Sequence, residues 1–199
     1  PAVDDPAVIK TLSGYGVSYL FRTEIVYFLA GKTAVLLSEL IHESYLGLRL
    51  FNVFLFGLLM TVAIRRTQEP LLFVLGLVAT PQVWYIFSYF NGDAFPLFLA
   101  LLIAVQVMYS NTISSRYFDS PTLRDRMSGG VLLGILLGLM LLSKQNYHIY
   151  LAFIALILVL RLFFESRSGS AGRWPLQMKK GILIAGVAMF IYLPYIVYD

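Results

Sequence analysis

The sequence predicts an all-α fold, a polytopic transmembrane helix bundle of about six spans, on three observations. Hydrophobic residues make up 59% of the 199 and charged residues only 13%, and the mean hydropathy is +0.78, far from the balance of a soluble domain. Uncharged runs recur at close to the length of about 20 residues needed to cross about 30 Å of hydrocarbon. These runs lack strict two-residue alternation, so helices rather than a closed barrel satisfy their backbone groups.

Two regions are expected: residues 1–44 as an extracytoplasmic loop and interfacial helix, and residues 45–199 as the transmembrane helix bundle. The start at Pro1 without a methionine, and the apolar run that abuts Asp199, predict a fragment of a longer membrane domain. The net charge of +4 suits anionic membrane lipids. Basic residues lie in the loops without aromatic interleaving, which argues against a nucleic-acid partner. With no cysteine, disulfides and thiolate metal sites are excluded.

Residues 1–16, with Asp4, Asp5 and two prolines, read as loop. Gly14 and Gly16 do not make a dinucleotide loop, because Tyr19 occupies the third glycine's place. From Val17 to about Ile41 the pattern is helical, but Arg22, Glu24, Lys32 and Glu39 interrupt it. Each charge at mid-membrane costs about 2.5–3.5 kcal/mol, so an interfacial helix packed against protein as well as lipid is expected.

The expected spans are Tyr45–Ile64, Pro70–Phe90, Ala94–Ser110, Met127–Ser143, Tyr147–Phe164 and Gly181–Tyr198. Pro81 is expected to kink the second, and Gln82 and Gln106 to face protein. The loops after the first, third and fifth spans hold Arg65, Arg66, Arg116, Arg124, Arg126, Arg161, Arg167, Arg173, Lys179 and Lys180. By the positive-inside rule that side is cytoplasmic. The N-terminal segment, Asn91-Gly92-Asp93 and Lys144-Gln145-Asn146-Tyr147-His148 then share the outer side of an integral membrane protein.

Asp93 precedes a helix with a proline in its first turn, the pattern of an N-cap contributing about 1 kcal/mol. A cap keeps a second oxygen for a ligand or metal, so Asp93 is also the candidate catalytic carboxylate. The uncharged run Met127–Ser143 rises only about 25 Å as a helix, which leaves Lys144 at or just below the outer surface. There it either snorkels to water or meets an anionic headgroup. Asn91, Arg49, Tyr147 and His148 complete the candidate binding set. Arg49 has two readings, a membrane anchor or a partner for a carboxylate or lipid phosphate. Gly130, Gly134 and Gly138 are spaced for close helix packing.

Other chemistries are excluded by their missing residues. His42-Glu43 begins like a zincin helix, but Leu46 stands where the second histidine is required. With His42 and His148 the only histidines, a His-based metal site does not fit. A carboxylate-bound divalent ion remains compatible, and no other cofactor is indicated. Neither a serine nucleophile elbow nor a Walker lysine is present.

Leu48-Arg49-Leu50-Phe51-Asn52 opens the first span, Pro81 lies in the second, and Asn91-Gly92-Asp93 opens the third. The glycine-rich short span ends in Lys144 before an aromatic. This layout resembles the GT-C superfamily of membrane glycosyltransferases over roughly residues 15 to 165. Within it the chain is most similar to the uncharacterised bacterial branch near the aminoarabinose and protein mannosyl transferases. The resemblance implies transfer of a sugar from a polyprenyl-phosphate carrier at the extracytoplasmic face of the bacterial plasma membrane. It also implies that Asp93 matches the family's second rim aspartate and Lys144 its lysine before an aromatic. The family's leading carboxylate follows an initial span; Asp4 and Asp5 stand nearest that place, with fewer residues after them than its spacing. Its paired prolines before a tyrosine are replaced by Gly16-Val17-Ser18-Tyr19. Two other readings fit the same composition: a transporter or flippase-like protein, and a non-catalytic assembly subunit. Sugar, acceptor and oligomeric state are left open.

Overall fold

The structure, a computed structural model, describes residues 25–41, 43–66, 75–167 and 174–198. Asp4, Asp5, Gly14, Gly16, Tyr19, Arg22, Glu24, His42, Arg173 and the first turn of the expected second span lie outside the described residues. Those described form helices, turns and no strand. In chain order they are α1 (Ile25–Leu37), α2 (Ser44–Arg66), α3 (Pro81–Ser88), α4 (Ala94–Met108), α5 (Ile113–Phe118), α6 (Met127–Leu141), a 3-10 turn (Gln145–Tyr147), α7 (His148–Arg167) and α8 (Trp174–Tyr198).

Among them, α2 and α8 are long and apolar enough to cross a membrane, over Tyr45–Arg65 and Pro175–Tyr195. The 15-residue helices α4 and α6 each rise about 22 Å, less than a hydrocarbon core of about 30 Å. What they lack in length they make up in burial. Helix α4 is apolar on every side and buries Phe95, Phe98, Leu99, Ile103 and Val107, as a helix without a polar face must. It packs between α2 and α6.

The most extensive helix interface joins α6 to α8, and the missing side chains of α6 allow it. A Cβ on Gly134 would stand 2.7 Å from Val187 Cβ, and one on Gly138 2.9 Å from Ile191 Cβ. Gly130 instead meets the Tyr117 ring of α5, at 2.6 Å from Cε1. The stripe thus serves two partners. Gly134→Ala is expected to destabilise the protein by about 1–3 kcal/mol through overpacking. Gly186→Ala on α8, where nothing lies within 4 Å of the new methyl, should be neutral or slightly stabilising. Thermal unfolding of the two variants in detergent checks the difference.

Three expectations are corrected. The second span is broken rather than kinked: residues 75–78 are helical, Thr80 is extended, and Pro81 opens α3 instead of bending a continuous helix. Proline suits a first turn because its missing N–H has no partner to lose there. Gln82 consequently lies in that first turn and is exposed, not turned toward protein. Gln106 is buried, with Oε1 accepting from the Ser114 backbone N–H at 3.3 Å. Helix α8 includes Lys179 and Lys180, so they are helical rather than loop residues. Helix α1 buries Val26 and Ala30, with Ala34 close against Gly47 of α2, in keeping with the expected packing against protein, while Phe28 and Leu36 stay exposed.

The helices place polar groups at two opposite ends. At one end, Thr112 Oγ1 caps α5 by accepting from the Ser115 N–H at 3.1 Å. There too Lys180, fully buried, donates from Nζ to the carbonyls of Phe118 at 2.8 Å and Ser120 at 2.7 Å. Arg161 of α7 pairs with Asp119 at 3.2 Å and lies over the Phe118 ring. The other end, called the rim below, gathers the start of α2, the turn between α3 and α4, and the turn between α6 and α7.

Candidate functional site

Construction of the rim begins with the end of α3. Its last carbonyls have no helical partner, and α2 supplies donors. Arg49 Nε donates to the Ser88 carbonyl at 2.9 Å, and Asn52 Nδ2 to the Tyr89 carbonyl at 2.6 Å. The Arg49 guanidinium also lies over the Tyr89 ring, 5.3 Å from its centre. Arg49 therefore anchors to backbone and aromatic groups of α3, where the sequence suggested a membrane anchor or an ion pair with a carboxylate or lipid phosphate.

Asn91 organises the next step. Its Oδ1 accepts from the backbone N–H of Asp93 at 2.9 Å and of Ala94 at 3.1 Å, while Nδ2 donates to the Ile86 carbonyl at 3.0 Å. One amide ties the end of α3 to the start of α4. The expectation that Asp93 caps α4 is thereby corrected: its backbone is helical and its side chain makes no cap hydrogen bond. Asn91 satisfies the first donors, so the Asp93 carboxylate is left to another partner.

That partner is Lys144, whose Nζ donates to Asp93 Oδ1 at 2.9 Å across 51 residues of sequence. Lys144 is brought there by the end of α6, where Ser143 Oγ donates to the Leu139 carbonyl at 2.8 Å. The side chains remain 26% exposed for Lys144 and 38% for Asp93. Ion pairs this accessible to water contribute about 0.2–1 kcal/mol, so the contact is weak enough to be exchanged.

Tyr147 follows in the 3-10 turn, its N–H donating to the Lys144 carbonyl at 3.0 Å. Burial, and then the Asp93 charge, push the Tyr147 hydroxyl above the usual phenol range, with Lys144 opposing. It stays protonated, a donor, at neutral pH. His148 Nε2 lies 3.3 Å from the Leu141 carbonyl oxygen and closes the α6–α7 turn when that nitrogen carries the proton.

Beneath the ion pair a cavity of about 550 Å³ opens between α4 and α7, lined by Asp93, Leu97, Ala100, Leu101, Ala104, Asn146, Tyr147 and Tyr150. Its α4 wall descends from Asp93 in steps of three and four residues, which is one helical face. From Asp93 to Ala104 that face runs about 16 Å. Polar groups stand at its head and aliphatic ones below, while Tyr150 on the opposite wall is held by its hydroxyl, which donates to the Ala100 carbonyl at 2.6 Å. The cavity wall includes Asp93 but not Lys144. Of the sequence candidates, Asp93 and Tyr147 line the cavity, Lys144 pairs with Asp93, and Asn91, Arg49 and His148 hold the turns that carry them. Tyr150 was missed, and Asn146, which the sequence places in the same polar turn, was not among the candidates. The recurrence of small or aliphatic residues at 97, 100, 101 and 104 behind an aspartate was the available signal.

Metal chemistry has little support in this set. Among the described residues no three of His, Cys, Asp or Glu come together. A divalent ion here would have Asp93 as its protein carboxylate, with the remaining ligands from water or substrate.

Among the described residues, two helices long and apolar enough to cross a membrane, with polar groups gathered at the two ends of an apolar bundle, are the pattern of a helical membrane protein. The chain belongs to the DUF2142 family, described as a predicted membrane protein, which matches residues 12–198. No curated protein and no solved structure matches it.

Proposed function

We propose that this chain is the donor-binding part of a membrane glycosyltransferase that takes a sugar from a polyprenyl-phosphate carrier at the extracytoplasmic face of the plasma membrane. The supporting observation is the rim ion pair of Asp93 and Lys144 set over an apolar groove. An amphiphile with a charged head and a long hydrocarbon tail matches that division: the tail lies along Leu97, Ala100, Leu101 and Ala104, and the head at Asp93, Asn146 and Tyr147. In this reading the chain crosses the membrane six times. The short helices α4 and α6 draw the rim inward, within reach of a lipid head, and the basic loop side is cytosolic.

The chemistry follows from the two charges. Asp93 orients the acceptor hydroxyl and takes its proton as that oxygen bonds to the sugar's anomeric carbon and the bond from this carbon to the carrier's phosphate oxygen breaks. Lys144 neutralises the phosphate that leaves. Asp93→Asn and Lys144→Met in the full-length protein are each expected to lower sugar transfer at least about 100-fold, with normal expression and unfolding temperature. The assay is transfer from a lipid-linked sugar in proteoliposomes, and wild-type rates in both variants would remove these residues from the reaction.

A transporter reading draws on one observation, the break between residue 78 and Pro81. Transporters build their sites from discontinuous helices. Uptake of solute by proteoliposomes without any transfer of sugar would favour it.

A further inference from the structure

In the resting arrangement the groove presents the wrong charge to an anionic head. Asp93 lines the cavity and Lys144 does not. The carboxylate is also the more exposed of the two, at 38% against 26%. A phosphate entering along α4 therefore meets a negative group first, with the ammonium behind it. Yet the Asp93 carboxylate is only lightly held. Asn91 has taken over the cap, so the backbone at 93 is fixed by the Asn91 amide while the side chain makes no cap hydrogen bond. Rotation of the carboxylate about its own side-chain bonds can break the contact with Lys144 without disturbing α4.

We infer that the Asp93–Lys144 pair is a charge latch, which a phosphate monoester or diester head opens by displacing the carboxylate from the ammonium. The inference rests on the donor-site reading above and adds the order of events: Lys144 exchanges partners on loading. The freed carboxylate then faces the groove, where an acceptor hydroxyl arrives. Before loading, its charge is neutralised by Lys144. Lys144 and Asp93 thus act in sequence.

The test is binding of a polyprenyl phosphate to the full-length protein in nanodiscs of zwitterionic lipid, with the uncharged polyprenol and inorganic phosphate as parallel probes. Asp93→Asn removes the competing charge and keeps the shape, and it is expected to tighten polyprenyl phosphate about fivefold and leave polyprenol unchanged. Asp93→Ser gives the same reading should the Asn variant fold poorly, and Asp93→Glu, which keeps the charge, should bind as wild type. Lys144→Met should weaken polyprenyl phosphate about tenfold or more, and adding Asp93→Asn to it should recover only the part due to repulsion by the unneutralised carboxylate, leaving binding weaker than in Asp93→Asn alone. Weaker or unchanged binding in Asp93→Asn, alongside a loss in Lys144→Met, overturns the latch and leaves the donor site standing. Unchanged binding in Lys144→Met overturns both. Equal tightening of inorganic phosphate and polyprenyl phosphate supports the latch and overturns the lipid as its source.

Discussion

Lys180→Met is expected to destabilise the protein by about 2–3 kcal/mol, while Lys179→Met one position earlier stays within about 0.5 kcal/mol of wild type. Both changes remove one positive charge from the same turn of α8, so the difference isolates burial. Lys180 is fully buried and donates to the Phe118 and Ser120 carbonyls, whereas Lys179 is exposed. Gln177 Nε2 still donates to the Phe118 carbonyl at 3.1 Å, so that oxygen keeps a partner in the variant. The Ser120 carbonyl loses its ammonium, and a buried acceptor stripped of its donor costs about 1–3 kcal/mol. Methionine fills nearly the same volume, which keeps a cavity from confusing the result. Unfolding midpoints in detergent measure it, and equal midpoints for the two variants would show that the buried ammonium does not hold the α5 elbow.

Asn91→Ala is expected to destabilise by about 1–2 kcal/mol and, in the transferase reading proposed above, to lower sugar transfer about 100-fold, although the side chain is assigned no contact with substrate. The loss follows from competition for one carboxylate. Without the Asn91 oxygen the start of α4 loosens, and the Phe95 N–H, two residues on, comes within reach of a capping Asp93 carboxylate. An aspartate drawn into the cap leaves Lys144 and turns away from the groove. Asn91→Asp keeps the accepting oxygen but cannot donate to Ile86, and so should recover most of the transfer and part of the stability. Similar transfer by Asn91→Ala and wild type in proteoliposomes would mean that Asp93 holds its place without help.

Much of this rim was legible in the sequence. Asp93 and Lys144 were assigned to the same side of the bundle because a charge cannot remain inside lipid, so the alternation of loops fixes which end each occupies. Their pairing at 2.9 Å agrees with that assignment. The role of Asp93 in the helix start was not legible. Asn-Gly-Asp offers two capping side chains two residues apart, and local preference favours both. In the fold the Asp93 carboxylate goes to Lys144 instead, 51 residues away. Arg49 was open to an anchor and an ion-pair reading for a similar reason: whether an arginine at a helix end meets phosphate or carbonyl depends on the neighbouring helix. At the opposite end, Lys179 and Lys180 looked alike, because adjacent residues on a helix point about 100° apart and composition does not say which one turns inward.

The sequence by itself determined that this is a helical protein of the membrane, because apolar transfer and the need to satisfy every backbone group in lipid act on each segment separately. It also put Asp93 and Lys144 at one end, and their ion pair agrees with that placement. Only the tertiary structure decided that Asn91 rather than Asp93 caps α4, that Lys180 is buried while Lys179 is not, and that a groove lies beneath the ion pair. Those outcomes depend on the rotation and height of one helix against another. The glycine contacts of α6 and the burial of α4 set that register, and no single segment contains it.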